Sequence, residues 1–264
     1  MMSGPPDAAE SPRPPRAPTQ AEWDAMTPAE RTRALDALPI YVPPEECGAM
    51  EGDRHGACRE AAVGALRAYF EATGQRVYVS GEMAVYFPGQ LRVAPDVFAV
   101  MGAEAQPRDS WIVTREGRKP EWALEILALG DRWKDLKGHV VEYAALGIRE
   151  YFIADLVRRR LWGYRLGDAS IGIYTPIMPQ TGRYRSEVLD LDLVLDGEKV
   201  RFYHGSARLL EPSEIAEELE DRLNDEQILR REAEERAAAE AAKRSDLEAQ
   251  LAQMREELER LRGR

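Results

Sequence analysis

The sequence predicts an α/β fold in which a mixed β-sheet is flanked by helices and followed by a C-terminal coiled-coil helix. Alternating apolar runs recur between residues 77 and 206. Apolar residues at helical spacing precede and follow the first three of these runs, and leucines at heptad spacing lie in the C-terminal segment. Alternation is typical of strands, and spacings of three and four are typical of helices. The order helix, three strands, helix and further strands predicts one α/β domain.

Three segments are predicted. Residues 1–18 hold six prolines and almost no apolar side chains, so we expect this tail to be disordered. Residues 19–210 carry the α/β pattern, and residues 213–264 carry the coiled coil. The chain has 264 residues, which is enough for one sizeable core with extra segments.

The helices show recognisable ends. Thr27, Pro28 and Glu30 supply an N-cap, a first-turn proline and an early acid for a short helix. Residues 54–72 have apolar side chains at helical spacing and stop before Gly74. A third helix is predicted over residues 135–146.

The strands are predicted from alternation and from apolar runs. Residues 77–87 and 91–101 form two half-buried strands separated by a turn. Residues 121–129 are apolar on both faces, which predicts a central strand. Two strands follow at residues 149–155 and 160–166, and shorter ones fill the region up to residue 206.

The C-terminal segment has a coiled-coil seam with 4-3-4-3 spacing, formed by Leu247, Leu251, Met254, Leu258 and Leu261. Traced upstream, the seam is interrupted by charged residues and by alanines. We expect the chain to form a homo-oligomer through this coil, because short coils depend on a partner helix. The alternative is a single charged surface helix.

Composition limits the function classes. No run of residues approaches the ~18–20 apolar residues of a membrane span. The N-terminus lacks the apolar core of a secretory signal, so we expect a cytoplasmic protein with Cys47 and Cys58 as reduced thiols. Net charge is −11, but residues 211–264 hold 10 basic against 17 acidic groups, so the remainder is only mildly acidic. A nucleic-acid substrate therefore remains compatible with the charge, given local Lys or Arg.

Asp96 and Glu125 are the strongest candidates for chemistry. Each lies in an apolar run that predicts a strand, where an ionised carboxylate is costly unless it is paired or binds a metal. Asp96 could instead be a turn residue after Pro95, and Glu125 could face outward or pair with Arg132. On consecutive strands of one sheet, the two acids favour a shared hard cation such as Mg²⁺.

Residues 53–165 resemble the Uma2 family of endonucleases, also called DUF820, in the PD-(D/E)XK nuclease superfamily. The resemblance rests on short motifs in the family's order: His55-Gly56, Pro95-Asp96-Val97, Glu125-Ile126-Leu127, Asp135, Tyr143, Gly147-Ile148 and the run 150–155. It implies that Asp96 and Glu125 bind Mg²⁺ or Mn²⁺, which activates water and neutralises charge as a phosphodiester in DNA is hydrolysed.

One basic residue departs from the family pattern. Leu127 occupies the superfamily's lysine position, and His139 occupies the position from which the family's lysine usually comes. Lys134 and Lys137 are the other candidates for this role, although Lys137 projects about 160° away from His139 on a helix. All three remain open, as does a degenerate site.

Three weaker candidates have ordinary explanations as well. His55 could bind substrate, or it could be a structural residue at a helix start. Arg159, in a charged turn, could contact a phosphate backbone. Glu82 is more simply a solvent-exposed residue on the polar face of its strand.

Three functions therefore compete. The first is a Mg²⁺-dependent endonuclease that acts on DNA and pairs through its coiled coil. The second is a catalytically degenerate nuclease fold that serves as a binding or scaffolding protein. In the third, the coiled coil is the main functional element and the α/β domain is a structural head.

Overall fold

The structure is a computed structural model that describes residues 15–41, 52–128, 133–167 and 172–262, without the side chains of residues 133–137. The described helices are α1 (Gln20–Ala25), α2 (Pro28–Asp36), α3 (Asp53–Ala72), α4 (Val113–Glu116), α5 (Trp133–Ala145) and α6 (Pro212–Arg262). The described strands are β1 (Val77–Ser80), β2 (Val85–Tyr86), β3 (Arg92–Val93), β4 (Val97–Met101), β5 (Trp111–Ile112), β6 (Trp122–Leu127), β7 (Glu150–Asp155), β8 (Arg160–Leu166), β9 (Tyr174–Pro176), β10 (Tyr184–Ser186), β11 (Leu191–Asp196), β12 (Lys199–His204) and β13 (Ala207–Arg208).

These elements form two compact units, Met1–Pro212 and Ser213–Arg264. The first unit contains a six-stranded mixed sheet in the order β1-β4-β6-β7-β8-β9, with smaller sheets β10-β11-β12-β13 and β3-β2-β5. The second is helical. The α/β class with a mixed sheet, flanking helices and a long C-terminal helix is confirmed, whereas pairing of that helix stays a prediction.

The central strand is β6, as its apolar sequence predicts. All six of its residues are buried, and it lies between β4, which is antiparallel, and β7, which is parallel. Parallel neighbours need a crossover connection, and α5 lies in the chain between β6 and β7. This β6-α5-β7 unit positions Glu125 beneath α5.

Two predicted strands are each split into two shorter ones. The predicted strand over 77–87 divides into β1 and β2, and the one over 91–101 divides into β3 and β4. The first break lies at Gly81 and Glu82, where Glu82 has a φ of 51°. A Cβ at Gly81 would overlap the carbonyl oxygen of Asp96, so the break brings the two chain segments unusually close. Alternation cannot reveal such a break, because both halves keep the same period.

The apolar core lies on both faces of the six-stranded sheet. One face packs against α3 and strands β11 and β12 through a cluster that includes Leu66, Leu124 and Phe202. The other face packs against α5 through a cluster that includes Phe98, Tyr143 and Tyr151. The sheet therefore lies between α3 on one face and α5 on the other.

The N-terminal segment is ordered earlier than the predicted boundary at residue 19. Ala17 is buried, and its backbone exchanges hydrogen bonds with Gly89 and Gln90. Thr27 caps α2 in a capping box with Glu30, as predicted. Thr19 caps α1 in the same way, a helix that the sequence reading did not separate. Residues 1–14 lie outside the described part of the chain.

A buried carboxylate ties the central sheet to the segment after β10. Glu150, which is 1% exposed, accepts hydrogen bonds from Arg165 Nε at 2.9 Å and from Ser186 Oγ. The backbone N–H groups of Glu187 and Val188 also donate to it, at 2.9 and 3.4 Å. The one buried carboxylate thus accepts hydrogen bonds from all four of these donors, and it stabilises the fold by joining the segments that carry them.

None of the described helices has both the length and the apolar character that crossing a membrane would require.

Candidate active site

Strand register brings Asp96 and Glu125 together. In the antiparallel pair of β4 and β6, Val97 faces Leu124, so one further step places Asp96 opposite Glu125. Asp96 lies one residue before β4, so the register brings its backbone level with Glu125 on β6. Both acids are buried, with 5% and 8% of their surfaces exposed. The two predicted acids thus lie side by side at one end of the ladder.

Asp96 itself is not inside a strand, as its apolar run predicts, but a turn residue after Pro95, which is the alternative that the sequence left open. It occupies the bend between Pro95 and the first residue of β4. Its Oδ2 accepts a hydrogen bond from the backbone N–H of Ile126 at 2.6 Å, which joins it to β6. The bend allows the carboxylate to turn toward the neighbouring strand, which a residue within the ladder could not do as readily.

His55 also contacts Asp96. His55 lies in the first turn of α3, is 1% exposed, and its Nε2 is 3.0 Å from Asp96 Oδ2. The contact gives the buried histidine a specific partner in the site, and it joins α3 to the bend before β4. His55 is thus placed beside a candidate metal ligand.

Glu125 is held by a tyrosine from α5. The Tyr143 hydroxyl donates a hydrogen bond to Glu125 Oε1 at 2.8 Å, and both groups are buried. His139 lies one helical turn before Tyr143, and the two rings stack with centroids 5.5 Å apart and planes 10° from parallel. Residues four apart share a helix face, so His139 packs against the Tyr143 ring from the same helix and restricts the orientation of that ring.

Two buried, neutral tyrosines lie near the acid pair, and one of them, Tyr143, donates to it. Burial raises the pKa of Tyr143 well above its ordinary value, and the Glu125 carboxylate raises it further. The pKa of Tyr151 is raised by burial and then by Glu125 and Asp96. Within the described residues, the buried Tyr151 hydroxyl has no hydrogen-bond partner. Both phenols therefore stay protonated near neutral pH, and sequence reasoning assigned neither a role.

The basic candidates on α5 are only partly described. Of the three, the side chain of His139 is described, and it is half-buried against Tyr143. The backbone of Lys134 and Lys137 lies in α5, but their side chains lie outside the described residues, as does that of Asp135. Arg132, the alternative partner for Glu125, also lies outside them.

Arg159 and Glu82 are the remaining candidates, and the backbone N–H of Glu82 donates to the carbonyl oxygen of Pro95 at 3.1 Å, next to Asp96. Arg159 is exposed in the turn between β7 and β8, with a φ of 51°. The turn itself is fixed by Asp155, which accepts hydrogen bonds from the N–H and guanidinium of Arg158. Glu82 is exposed and forms an ion pair with Arg59.

The donor chemistry fits a hard cation. Two adjacent carboxylates provide oxygen ligands, and each has one oxygen fixed by a protein donor. In the described part of the chain, no group of three or more His, Cys, Asp or Glu side chains could hold a metal. Mg²⁺ is usually bound by one or two carboxylates together with waters and substrate phosphates, so two acids suffice for that ion.

Both the sequence and the fold resemble known proteins. Residues 45–196 match the family model Uma2, described as "Putative restriction endonuclease". The fold is similar to the crystal structure of "a putative nuclease belonging to DUF820" from Anabaena variabilis, at 13% identity and a TM-score of 0.44. That similarity covers 56% of this chain and 82% of the other. No curated protein matches the sequence significantly.

Proposed function

The chain belongs to the Uma2 family, and from this premise we propose that it is a Mg²⁺-dependent endonuclease that hydrolyses phosphodiester bonds in DNA. The observation that carries the proposal is the buried pair Asp96, in the bend before β4, and Glu125, on the neighbouring strand β6. The matched region contains both acids, and it covers more than half of the chain.

The residues have distinct proposed roles. Asp96 and Glu125 would hold Mg²⁺ or Mn²⁺, and the cation, when bound, supplies positive charge for the phosphodiester transition state and activates water. His55 and the Ile126 N–H fix Asp96, whereas Tyr143 fixes Glu125. Such outer contacts orient metal-binding side chains and lower the cost of assembling the site.

We propose His139 as the group that accepts a proton from water. Histidine changes charge near neutral pH, and its position beside Tyr143 places it one side chain away from Glu125. Lys134 and Lys137 are the alternatives. Loss of cleavage in His139→Ala, with activity retained in Lys134→Ala and Lys137→Ala, would support this choice; the opposite pattern would transfer the role to a lysine.

Wild-type protein is expected to nick or cut plasmid DNA in the presence of Mg²⁺ or Mn²⁺ and to lose this activity in EDTA, because the two carboxylates alone cannot supply the positive charge. Agarose gels of supercoiled, relaxed and linear plasmid measure the products. Single-stranded DNA and RNA substrates in parallel reactions test the substrate class. No metal-dependent cleavage of any of these nucleic acids would refute the enzyme proposal.

A second function is favoured by one observation, which is Leu127 at the superfamily's lysine position. A degenerate nuclease fold could still serve as a binding or scaffolding protein. Titration calorimetry with Mn²⁺ separates the two functions. An intact acid pair should bind the ion, whereas a degenerate site should not.

Tyr143→Phe is expected to weaken Mn²⁺ binding about 10–100-fold, because loss of an outer hydrogen bond releases a ligand from its fixed orientation. Calorimetry on the protein without DNA measures this directly. Tyr164→Phe is the matched control, because Tyr164 belongs to the same ring cluster through Tyr151. Equal affinities in wild type and Tyr143→Phe would show that the hydrogen bond to Glu125 does not position the metal ligand.

A further inference from the structure

The helix α6 leaves apolar side chains uncovered near both of its ends. It spans Pro212–Arg262, has 51 residues, and buries none of them. Large apolar side chains along it are more than half exposed: Leu219, Leu223, Leu247, Leu251, Met254, Leu258 and Leu261. Long helices with exposed apolar stripes are stabilised mainly by packing against another helix.

The two apolar ends of α6 belong to one heptad phase. Leu219 and Leu223 are spaced by four, as are Leu247 and Leu251, and the two pairs are separated by four heptads. Both pairs therefore lie on the same seam despite the polar stretch between them. Ile228 and Leu229 lie outside this seam.

The middle of the seam carries an ordered series of charges. Its six a and d positions are, in chain order, Glu226, Arg230, Ala233, Ala237, Glu240 and Arg244. Read forward, the signs are negative, positive, neutral, neutral, negative, positive. Read backward, each sign is reversed. Two helices that carry this series therefore place positive residues opposite negative ones only when they run antiparallel.

We infer that α6 pairs with α6 of a second copy of this chain as an antiparallel two-stranded coiled coil centred beside Glu235. Each a position then faces a d position of the other helix, as antiparallel coils require. The facing pairs are Leu219 with Leu251, Leu223 with Leu247, Glu226 with Arg244, Arg230 with Glu240, and Ala233 with Ala237.

A parallel pairing of the same seam is disfavoured by its charges. Each of the four charged positions would face its own copy, which sets Glu against Glu and Arg against Arg. Charged groups within a seam set orientation and register more than they add stability. The antiparallel pairing turns all four repulsions into attractions, and the two central alanines allow close approach.

Orientation has a measurable consequence for the helix starts. In the antiparallel register Pro212 lies level with Leu258 of the other copy. At 1.5 Å per residue, the two helix starts are about 70 Å apart, whereas a parallel coil would place them side by side. The coil is therefore a spacer between protomers and not a clamp that joins the helix starts.

Charge reversal on the full chain tests the pairing. Arg230→Glu should weaken the dimer roughly tenfold or more, because each dimer gains two facing pairs of like charge. Adding Glu240→Arg should restore the wild-type affinity. Arg231→Glu is the matched control, because Arg230 and Arg231 each pair with a glutamate four residues later, but Arg231 lies off the seam. Sedimentation equilibrium measures the dissociation constants.

Cysteine cross-linking tests the relative orientation of the two α6 helices by a second method. In a Cys47→Ser, Cys58→Ala background, mixed Leu223→Cys and Leu247→Cys chains should form disulfide-linked heterodimers, and either variant alone should not. Self-cross-linking of each single variant would show a parallel coil and overturn the inference. A monomeric wild-type chain, or a dimer that Arg230→Glu leaves unchanged, would overturn it as well. None of these outcomes depends on nuclease activity.

Discussion

Replacing Glu125 by glutamine is expected to lower metal-dependent DNA cleavage by about 10³-fold or more. A metal ion contributes several kcal/mol of charge stabilisation to such a transition state, and each ~1.4 kcal/mol is a factor of ten in rate. Glutamine keeps the size of the side chain and can still accept the Tyr143 hydrogen bond, but it removes the negative charge. Asp96→Asn is expected to have an effect of the same order.

The measurement is the initial rate of plasmid cleavage at saturating Mn²⁺, together with calorimetric Mn²⁺ binding. Glu142→Gln is the control, because Glu142 is an exposed carboxylate next to Tyr143 on α5. Urea unfolding should show that Glu125→Gln is at least as stable as wild type, since it removes a charge from a buried position. Cleavage that survives in both Glu125→Gln and Asp96→Asn would place the active site elsewhere.

Glu150→Ala is expected to destabilise the fold by about 3–5 kcal/mol, because each buried donor left without an acceptor costs about 1–3 kcal/mol. The substitution leaves the Arg165 guanidinium without its buried partner and removes the acceptor for Ser186 and two backbone N–H groups. Since the group joins β7 and β8 to the end of β10 and the residues that follow it, its loss should lower the midpoint of cooperative unfolding. Urea unfolding followed by circular dichroism measures the change.

Glu187→Ala provides the comparison for this effect. Glu187 also pairs with Arg165, at 2.7 Å, but its side chain is 60% exposed. Exposed ion pairs contribute about 0–1 kcal/mol, so this variant should stay close to wild type. Similar losses in the two variants would mean that burial of Glu150 does not determine its contribution.

The sequence predicted the features that follow from local period and burial. The apolar run around Glu125 predicts a central strand, and β6 is buried throughout. The spacing of leucines after residue 247 predicts a long helix, and α6 ends at Arg262. The stretches that resemble the Uma2 family lie mainly on β4, β6, α5 and β7, and the family match confirms that resemblance. The acid pair itself was therefore identifiable before its geometry was known.

The hydrogen bonds and contacts within the candidate site could be identified only from the tertiary structure. Asp96 was expected inside a strand, yet it lies in a bend whose carboxylate reaches the N–H of Ile126, 30 residues later. Tyr143 and Glu125 are 18 residues apart in the chain, and His55 reaches Asp96 from another helix. No local pattern encodes these contacts.

By itself, then, the sequence determined the α/β class, the family and the heptad phase of α6, and it singled out the two candidate acids, because each of these follows from a local spacing, a short motif or a burial preference. Only the tertiary structure decided which donors hold each acid, where the predicted strands break, and that Glu150 is a structural carboxylate. These properties depend on which segments the sheet and helices bring into contact, and such contacts join residues with no regular spacing between them.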